Sequence, residues 1–328
     1  MARKSGVVVG LVVAICVAIV ASLAYGAVSI PFGQVIDALT GASGVPESTS
    51  KIVLDLRLPR SCEAIIVGAA LGVAGALLQG ALNNPLASPD IVGVTGGAGF
   101  GAVLILILFP AQVALLPVGA LFFGLLAAGL VFAVAWSGAN RGSVSKLILA
   151  GIAIGAMFGA GTTAILTAYP DRVPSVLFFI AGSLTSDGWG DLKAVWPYFA
   201  IGFILAIGLM RPLDRLSLGD EVAASLGTKP RLIRLIAGVA AALLAASAAS
   251  LAGLLAFLGL VVPHFVRMAA GTSSHTYVVP VSALAGATLL LAGDTLARVV
   301  AAPIELPVGP FMVLIGVPMF LYLLRRAG

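Results

Sequence analysis

Apolar stretches of about twenty residues recur along the whole chain and leave little of it for other structure. An α-helix needs about 20 apolar residues to cross the hydrocarbon core of a membrane. Turn signals such as Pro110 and Arg211-Pro212 separate ten stretches, with approximate limits 6–28, 61–82, 91–109, 112–136, 144–168, 192–211, 230–251, 253–267, 276–300 and 308–325. Charged residues make up only 9% of the chain, against about 25% in soluble domains. The pattern predicts an all-α, polytopic membrane protein with ten transmembrane helices, forming one domain over residues 1–328.

Basic residues predict the orientation of these helices. If the N-terminus is cytoplasmic and ten helices cross, most lysines and arginines fall on the inside, most densely over 211–234. Because cytoplasmic loops carry the excess of lysine and arginine, both termini are predicted on the cytoplasmic side of the membrane. The first run, 7–28, is too long for the apolar core of a leader peptide and favours a retained helix. A cleaved leader is the alternative.

Several chemistries are excluded or disfavoured. The chain has no GxxxxGK[ST] phosphate loop, so it is not expected to hydrolyse ATP itself. Cys16 and Cys62 fit no metal or haem spacing, and His264 and His275 are too few for a metal cage. The net charge of +5 is explained by topology and does not indicate nucleic-acid binding. We therefore expect no enzyme activity, metal or cofactor in this chain.

Glycines recur at helical spacing inside the apolar runs. Gly151, Gly155 and Gly159 are four residues apart, and the set 68, 72 and 75 follows nearly the same spacing. Small residues spaced in this way allow helix backbones to approach closely in lipid. Plain helix packing is the preferred explanation for most of them.

Polar residues concentrate in one stretch, GALLQGALNNPLASPDIVGVTGG, at residues 75–97. The residue before each proline is restricted to extended geometry, so no helix is expected to run through 82–90. Irregular backbone at a membrane is tolerated where protein buries it or where it lines water. Local chemistry favours an ordinary cytoplasmic turn, and a lining role is the alternative.

A second polar segment, LSLGDEVAASLGT, covers residues 216–228 on the predicted inside and is called the loop segment below. Leu218, Val222 and Leu226 are four apart and would share one face of a short helix. Gly219 and Gly227 punctuate it. Membrane-surface helices prefer a basic polar face. This one is acidic, which favours docking on a protein partner.

Two arginines, Arg57 and Arg60, precede the second predicted helix on the outside, and Arg298 ends the ninth. These three are called the outer arginine group below. Contact with lipid phosphate or snorkelling at a helix end is one interpretation. A docking patch for an acidic partner is the other. Asp294, four residues before Arg298, offers an internal ion pair instead.

A further polar site surrounds Pro263, which is expected to break a helix near the inside face. His264 and Arg267 lie close to it in the sequence. A lone histidine without a neighbouring carboxylate is a poor proton shuttle, so a structural role is favoured for His264.

Six stretches taken together resemble one family: the permease subunits of FecCD-type ABC importers for ferric siderophores, haem and vitamin B12. They are LRLPR, GAALGVAGALLQGALNNPLASPDIVGVTGGAG, AGSL, LSLGDEVAASLG, FLGLVVPHFVR and ELPVGPFMVLIGVPMFLYLL. They occur in family order and spacing and cover nearly the whole chain after the first helix. Three departures are Asn83 where the family often has arginine, residues 253–256 where it often has Gly-Pro-Ile-Gly, and Phe178 or Phe179 in place of a tryptophan expected before Gly182.

The resemblance implies a vitamin B12 importer-like permease fold with ten helices per subunit. It implies a second permease subunit, identical or different, two cytoplasmic ATPase subunits that carry ATP and Mg, and a periplasmic or lipid-anchored substrate-binding protein. The outer arginine group would meet the binding protein. The positions that match the family's ATPase-coupling segment are Leu218, Gly219, Asp220, Glu221, Ala224, Leu226 and Gly227. The positions that match its path and inner gate are Asn84, Pro85, Leu86, Ser143, Ser145, Gly155, Gly159 and Thr163, within a wall that runs over 155–167.

Three functional hypotheses remain open at this point. The leading one is an importer permease for a ferric siderophore, with haem and cobalamin as alternatives within the class. An ion-coupled secondary carrier would need ionisable residues near the bilayer midplane, and Asp294 is the candidate. A structural membrane subunit without a substrate is the third.

Overall fold

The computed structural model describes residues 2–42, 45–137, 144–184 and 188–327, and its regular secondary structure within these ranges is helical. The α-helices, numbered in chain order, are α1 (Ala2–Ala24), α2 (Phe32–Thr40), α3 (Glu47–Lys51), α4 (Leu58–Ala81), α5 (Val94–Leu108), α6 (Leu116–Ala135), α7 (Val144–Ala168), α8 (Pro174–Ala181), α9 (Trp189–Leu216), α10 (Asp220–Ser225), α11 (Pro230–Ala252), α12 (Leu258–Ala270), α13 (His275–Val300) and α14 (Val308–Ala327). A π-helical turn, Ile52–Arg57, joins α3 to α4. Short 3₁₀ segments are Pro89–Val92, Pro110–Leu115 and Pro170–Arg172.

Every predicted apolar stretch coincides with one of these helices. Among the described residues, 7 helices are long and apolar enough to cross a membrane. The remaining three predicted spans correspond to shorter apolar helices, α5, α12 and α14. The chain is thus a multi-span helical membrane protein, while the number of crossings and the orientation of the termini stay predictions.

Two prolines that the sequence predicts as helix breaks lie inside helices instead. α9 continues through Pro212 to Leu216, and α12 contains Pro263. A proline inside a helix leaves the carbonyl four residues earlier without its usual donor. Behind Pro263 that carbonyl belongs to Gly259, and Gln79 Nε2 donates to it at 3.4 Å and to Leu260 O at 3.1 Å. Neighbouring α4 therefore replaces the hydrogen bond that Pro263 removes.

The helices pack around α4 and α11, which are the most buried of the long helices, whereas α1 and α7 are the most exposed. Close backbone approaches explain the glycine spacing in α4. A Cβ atom added at Gly68 or Gly72 would lie 2.3 Å from a backbone carbonyl oxygen of α13. One added at Gly75 would overlap the Gly259 carbonyl of α12. The packing explanation is confirmed for this set.

Candidate functional site

The sequence at the end of α4 forms a well-defined helix C-terminus. Asn83 has a left-handed backbone with φ of 46°, a conformation that asparagine tolerates better than most residues. The Asn83 N–H donates to Gly80 O at 3.4 Å, and the Asn84 N–H donates to Gln79 O at 3.1 Å. This pair of bonds is the Schellman motif of a helix C-terminus. The predicted interruption over 82–90 is confirmed, and the next segment is the 3₁₀ turn at Pro89–Val92.

The chain then forms a compact turn at residues 84–86, called the Asn-Pro turn below. Asn84 Oδ1 accepts a hydrogen bond from the Leu86 N–H at 2.9 Å, and Asn84 O accepts one from the Ala87 N–H at 3.1 Å. The side chain of Asn84 therefore shapes the turn. Leu86 is exposed.

The loop segment lies beside this turn. It contains the six-residue helix α10, flanked by Gly219 with φ of 98° and Gly227 with φ of 76°. Both values require the left-handed region that glycine enters without strain. The predicted punctuation of the segment by these two glycines is confirmed.

The apolar stripe of the loop segment is uncovered in this chain. Leu218, Val222 and Leu226 are 59%, 47% and 52% exposed, while Ala223, which lies outside this stripe, is fully buried. Glu221 and Ala224 are also exposed. The helix is attached to the molecule by one side and presents apolar side chains on the other, as a docking element would.

Arg234 of α11 joins the loop segment to the end of α4. Its Nη1 and Nη2 atoms donate to the two carboxylate oxygens of Asp220, each at 2.7 Å. Its Nε donates to Ala81 O at 3.0 Å. The hydrogen bonds from Arg234 lower the pKa of the Asp220 carboxyl below its usual value. In the sequence Arg234 lies within a basic run, and no local signal there predicts this bridge.

Asp214, near the end of α9, caps α13 from outside that helix. Its Oδ1 accepts the His275 backbone N–H at 2.5 Å and lies 2.9 Å from the ring Nδ1, and Oδ2 accepts from Ser274 Oγ at 3.0 Å. A carboxylate at a helix N-terminus satisfies free N–H groups and complements the helix dipole. The first turn of α13 is thereby tied to the helix that leads into the loop segment.

A polar cavity of about 540 Å³ opens between the Asn-Pro turn, the loop segment and the facing ends of α12 and α13. Its polar lining side chains are Gln79, Asn83, Asn84, Ser217, Arg267, Ser273 and His275. Arg267 Nη1 donates to Gln79 Oε1 at the cavity wall. Asn84 and Pro85 of the predicted gate line this cavity together with Leu218 and Gly219 of the predicted coupling positions. These two sets therefore lie at the same end of the molecule.

Arg57, the first member of the outer arginine group, is only 6% exposed. Its Nη1 donates to Leu23 O at 2.7 Å, and its Nη2 donates to Val28 O. Leu23 lies in the last turn of α1, where carbonyls lack helical partners and a positive charge is favoured. Arg57 thus fastens the end of α1 to the π-helical turn that leads into α4.

The other two members share one carboxylate. Asp294 is fully buried and lies 2.9 Å from Arg60 Nη2 and 3.1 Å from Arg298 Nε. Arg60 also pairs with Glu305 at 2.5 Å, and Arg298 Nη2 donates to Ser22 Oγ at 2.8 Å. The internal pair predicted for Arg298 is confirmed.

These contacts correct the expectation of an open basic patch. Arg298 is 2% exposed, and carbonyls and carboxylates of this chain already bind all three guanidinium groups. A docking role for the outer arginine group stays a prediction and requires these contacts to rearrange. Glu63, a fully buried carboxylate of α4, lies three residues after Arg60, and no pattern in the sequence predicts its burial.

Predicted path residues lie along α7. A Cβ atom built at Gly155 or Gly159 meets nothing within 4 Å. Thr163 is exposed, and its Oγ1 donates to Gly159 O at 3.0 Å, so its own helix satisfies the hydroxyl. Ser145 is exposed, whereas Ser143 lies outside the described residues. This face of α7 offers small residues and open space, and its role in a path stays a prediction.

Within the residues that the structure describes, no three His, Cys, Asp or Glu side chains are grouped to hold a metal ion. The polar groups described above instead hold helix ends together.

Sequence comparison identifies the family. The model of the FecCD transport family matches residues 13–326. The chain belongs to the FecCD transport family. This confirms the resemblance stated from the six sequence stretches.

Individual relatives agree with the family match. The Fe(3+)-citrate import system permease protein YfmE of Bacillus subtilis is 38% identical over 318 residues, which cover 96% of this chain and 93% of that protein. The cobalamin import system permease protein BtuC of Halobacterium salinarum is 40% identical over 284 residues, which cover 86% of this chain and 75% of that protein. A metal-chelate type ABC transporter solved in an inward-facing conformation superposes with a TM-score of 0.84 at 29% identity, covering 98% of this chain and 99% of that chain.

Proposed function

We propose that this chain is the membrane-spanning permease subunit of an ABC importer for a ferric chelate. The observation that carries the proposal is the loop segment: an exposed apolar stripe on a short helix whose base is bound to the end of α4. Such a stripe would be costly in water unless a partner covers it. The FecCD relatives described above are import permeases, which supports an ATPase as that partner.

In the proposed mechanism, two partner ATPases bind ATP and close together, and each moves the loop segment docked on it. The helix bundles then change between outward-open and inward-open arrangements. The Asn-Pro turn, at the same end as the loop segment, forms part of the inner gate. The open face of α7 lines the path or meets a second permease subunit. This chain supplies no catalytic group and is not an enzyme.

The substrate class rests on the relatives. The iron-citrate permease matches over nearly the full length of both chains, while the cobalamin permease matches over a smaller share of each. The solved structural relative is of the metal-chelate type. These findings support a ferric chelate as cargo, delivered by a substrate-binding protein on the outer side.

The ion-coupled carrier is less well supported. Its candidate residue, Asp294, is bound by two arginines, and a carboxylate held in this way is poorly placed to pick up and release a coupling ion.

Leu226→Glu tests the proposal by placing a charge on the apolar stripe. We expect the variant to lose the copurifying ATPase and chelate uptake in proteoliposomes. Leu39→Glu is the matched control, because Leu39 of α2 is also exposed, at 45% against 52% for Leu226. The control is expected to retain both the copurifying ATPase and chelate uptake. Full uptake with normal ATPase retention in Leu226→Glu would overturn the proposal.

A further inference from the structure

We propose that Arg234 is a positioning residue that transmits movement of the loop segment to the Asn-Pro turn through its simultaneous bonds to Asp220 and to the end of α4. This inference rests on the proposed function, because it concerns how docking at the loop segment reaches the gate.

The geometry of the guanidinium group suits this role. Two of its N–H donors are used by the first residue of α10, at 2.7 Å each, and the third direction reaches Ala81 O at 3.0 Å. A guanidinium is planar and holds its donors in a fixed fork, so the two partners are fixed relative to each other. A lysine has one compact ammonium and cannot reproduce both contacts in this geometry.

The acceptor at Ala81 is available for a structural reason. The last carbonyls of a helix have no partner within it. The Schellman bonds and the Leu82 N–H satisfy the carbonyls of residues 78–80, which leaves Ala81 O for a donor from another helix. A cation at a helix C-terminus is also favoured by the helix dipole. Arg234 therefore binds Ala81, the last residue of α4, three residues before the Asn-Pro turn begins.

A second contact restrains the same junction. Asn83 Nδ2 donates to Leu216 O, the last residue of α9, at 3.3 Å. The loop segment is thus bound to the end of α4 at its start through Asn83 and at α10 through Arg234. Ala223 is the buried residue of α10, so these two links are the polar contacts that join the loop segment to the end of α4. A displacement of α10 by a docked partner reaches the end of α4 through them.

Arg234 is also well anchored for this purpose. It lies in α11, which packs along α4, and its side chain is only 16% exposed, whereas that of Asp220 is 52% exposed. The fixed end of the bridge is therefore the more buried end and the movable end is at the surface. A bridge with this asymmetry carries motion inward from a docked partner.

The test compares Arg234→Gln, Arg234→Lys and Asp220→Asn in proteoliposomes that contain the copurified complex. The readout is chelate transported per ATP hydrolysed, measured together with the basal ATPase rate and the KM for ATP. Arg231→Gln is the matched control, because Arg231 is an exposed arginine of the same helix end and its replacement removes the same charge.

We expect Arg234→Gln to retain the ATPase and its KM while transport per ATP falls by about tenfold, the effect of losing a charged hydrogen bond. Arg234→Lys should be intermediate. Asp220→Asn should lower the ratio in the same way, and combining it with Arg234→Gln should add nothing, because both act on one bridge. If Arg234→Gln does not assemble, the transport per ATP of Arg234→Lys and Asp220→Asn tests the inference in its place.

Wild-type transport per ATP in these variants, or an equal loss in Arg231→Gln, would overturn the inference. Failure of the proposed function is a different result: no ATPase copurifies with the wild-type chain at all. The two failures are therefore distinguishable in the same preparation.

Discussion

Replacing Gly68 with alanine is expected to push α4 and α13 apart. A Cβ atom at this position lies 2.3 Å from the carbonyl oxygen of Gly286 and 2.7 Å from its carbonyl carbon. Both atoms belong to the backbone of α13, so no side-chain rotation relieves the overlap. One of the two helices has to move.

The expected cost follows from the size of that movement. Non-bonded carbon atoms pack best at about 3.5–4.0 Å, and a radial gap of 0.5–1 Å loses about a quarter to a half of the dispersion energy of a contact. Overpacking in a well-packed core costs about 1–3 kcal/mol. Alanine returns about 0.5–1 kcal/mol through its better helix propensity. The difference is a net destabilisation of up to about 2.5 kcal/mol. Because both overlapping atoms are backbone, we expect about 1–2 kcal/mol within that range.

The assay is thermal unfolding of the purified chain in detergent, with Gly208→Ala as the matched control. Gly208 lies in α9, and a Cβ atom there meets nothing within 4 Å. Gly68→Ala should lower the unfolding midpoint by several degrees, while the control should leave it unchanged or raise it. Gly286→Ala, whose Cβ would lie 2.1 Å from Gly68 O, should cost less in the Gly68→Ala background, because the helices have already parted. Equal midpoints for Gly68→Ala and Gly208→Ala would refute the reasoning.

Three further predictions concern the polar contacts. Arg57→Gln is expected to destabilise the chain by about 2–3 kcal/mol through lost charged hydrogen bonds; a normal thermal midpoint with weakened binding-protein affinity would instead support docking by Arg57. Asp214→Ala should cost about 1–2 kcal/mol, as expected for loss of a helix cap, and should speed hydrogen exchange in the turn of α13 that begins at His275. Because the bond from Arg234 lowers the pKa of Asp220, this contact is complete above the usual carboxyl pKa and is lost only as the pH falls through the lowered value. Protection of α10 from hydrogen exchange, corrected for intrinsic rates, should therefore stay constant between about pH 5 and 8, and a transition within that range would contradict the assignment.

Much of the fold was predictable because its determinants are local. Apolar run length placed all ten predicted spans on helices, and the rule for residues before proline located the break after α4. The same kind of rule was wrong at Pro212 and Pro263. At Pro263 the compensating donor, Gln79, is supplied by another helix, so inspection of the local sequence could not reveal it.

The functional residues divide in a similar way. The short helix of the loop segment, its flanking glycines and its apolar stripe are contained in thirteen consecutive letters of sequence and were all predicted. The outer arginine group was visible in the sequence, but its burial was not, because its partners lie in α1, α13 and the turn that follows α13. Asn83 carried a weak signal as an asparagine at a helix end. Arg234 carried none.

The sequence by itself determined that this chain is a multi-span helical membrane protein of the FecCD transport family. It also determined that α4 ends before the Asn-Pro turn and that residues 216–228 form a short segment with an apolar stripe. Only the tertiary structure decided which polar groups meet, as Arg234 meets Ala81 across 153 residues of chain. The physical reason is the solvent. In water, an apolar stripe reveals which side of a helix faces the core, but in lipid both sides are apolar and small residues and polar contacts select the partner. The pattern that identifies these helices therefore carries little information about how they pack.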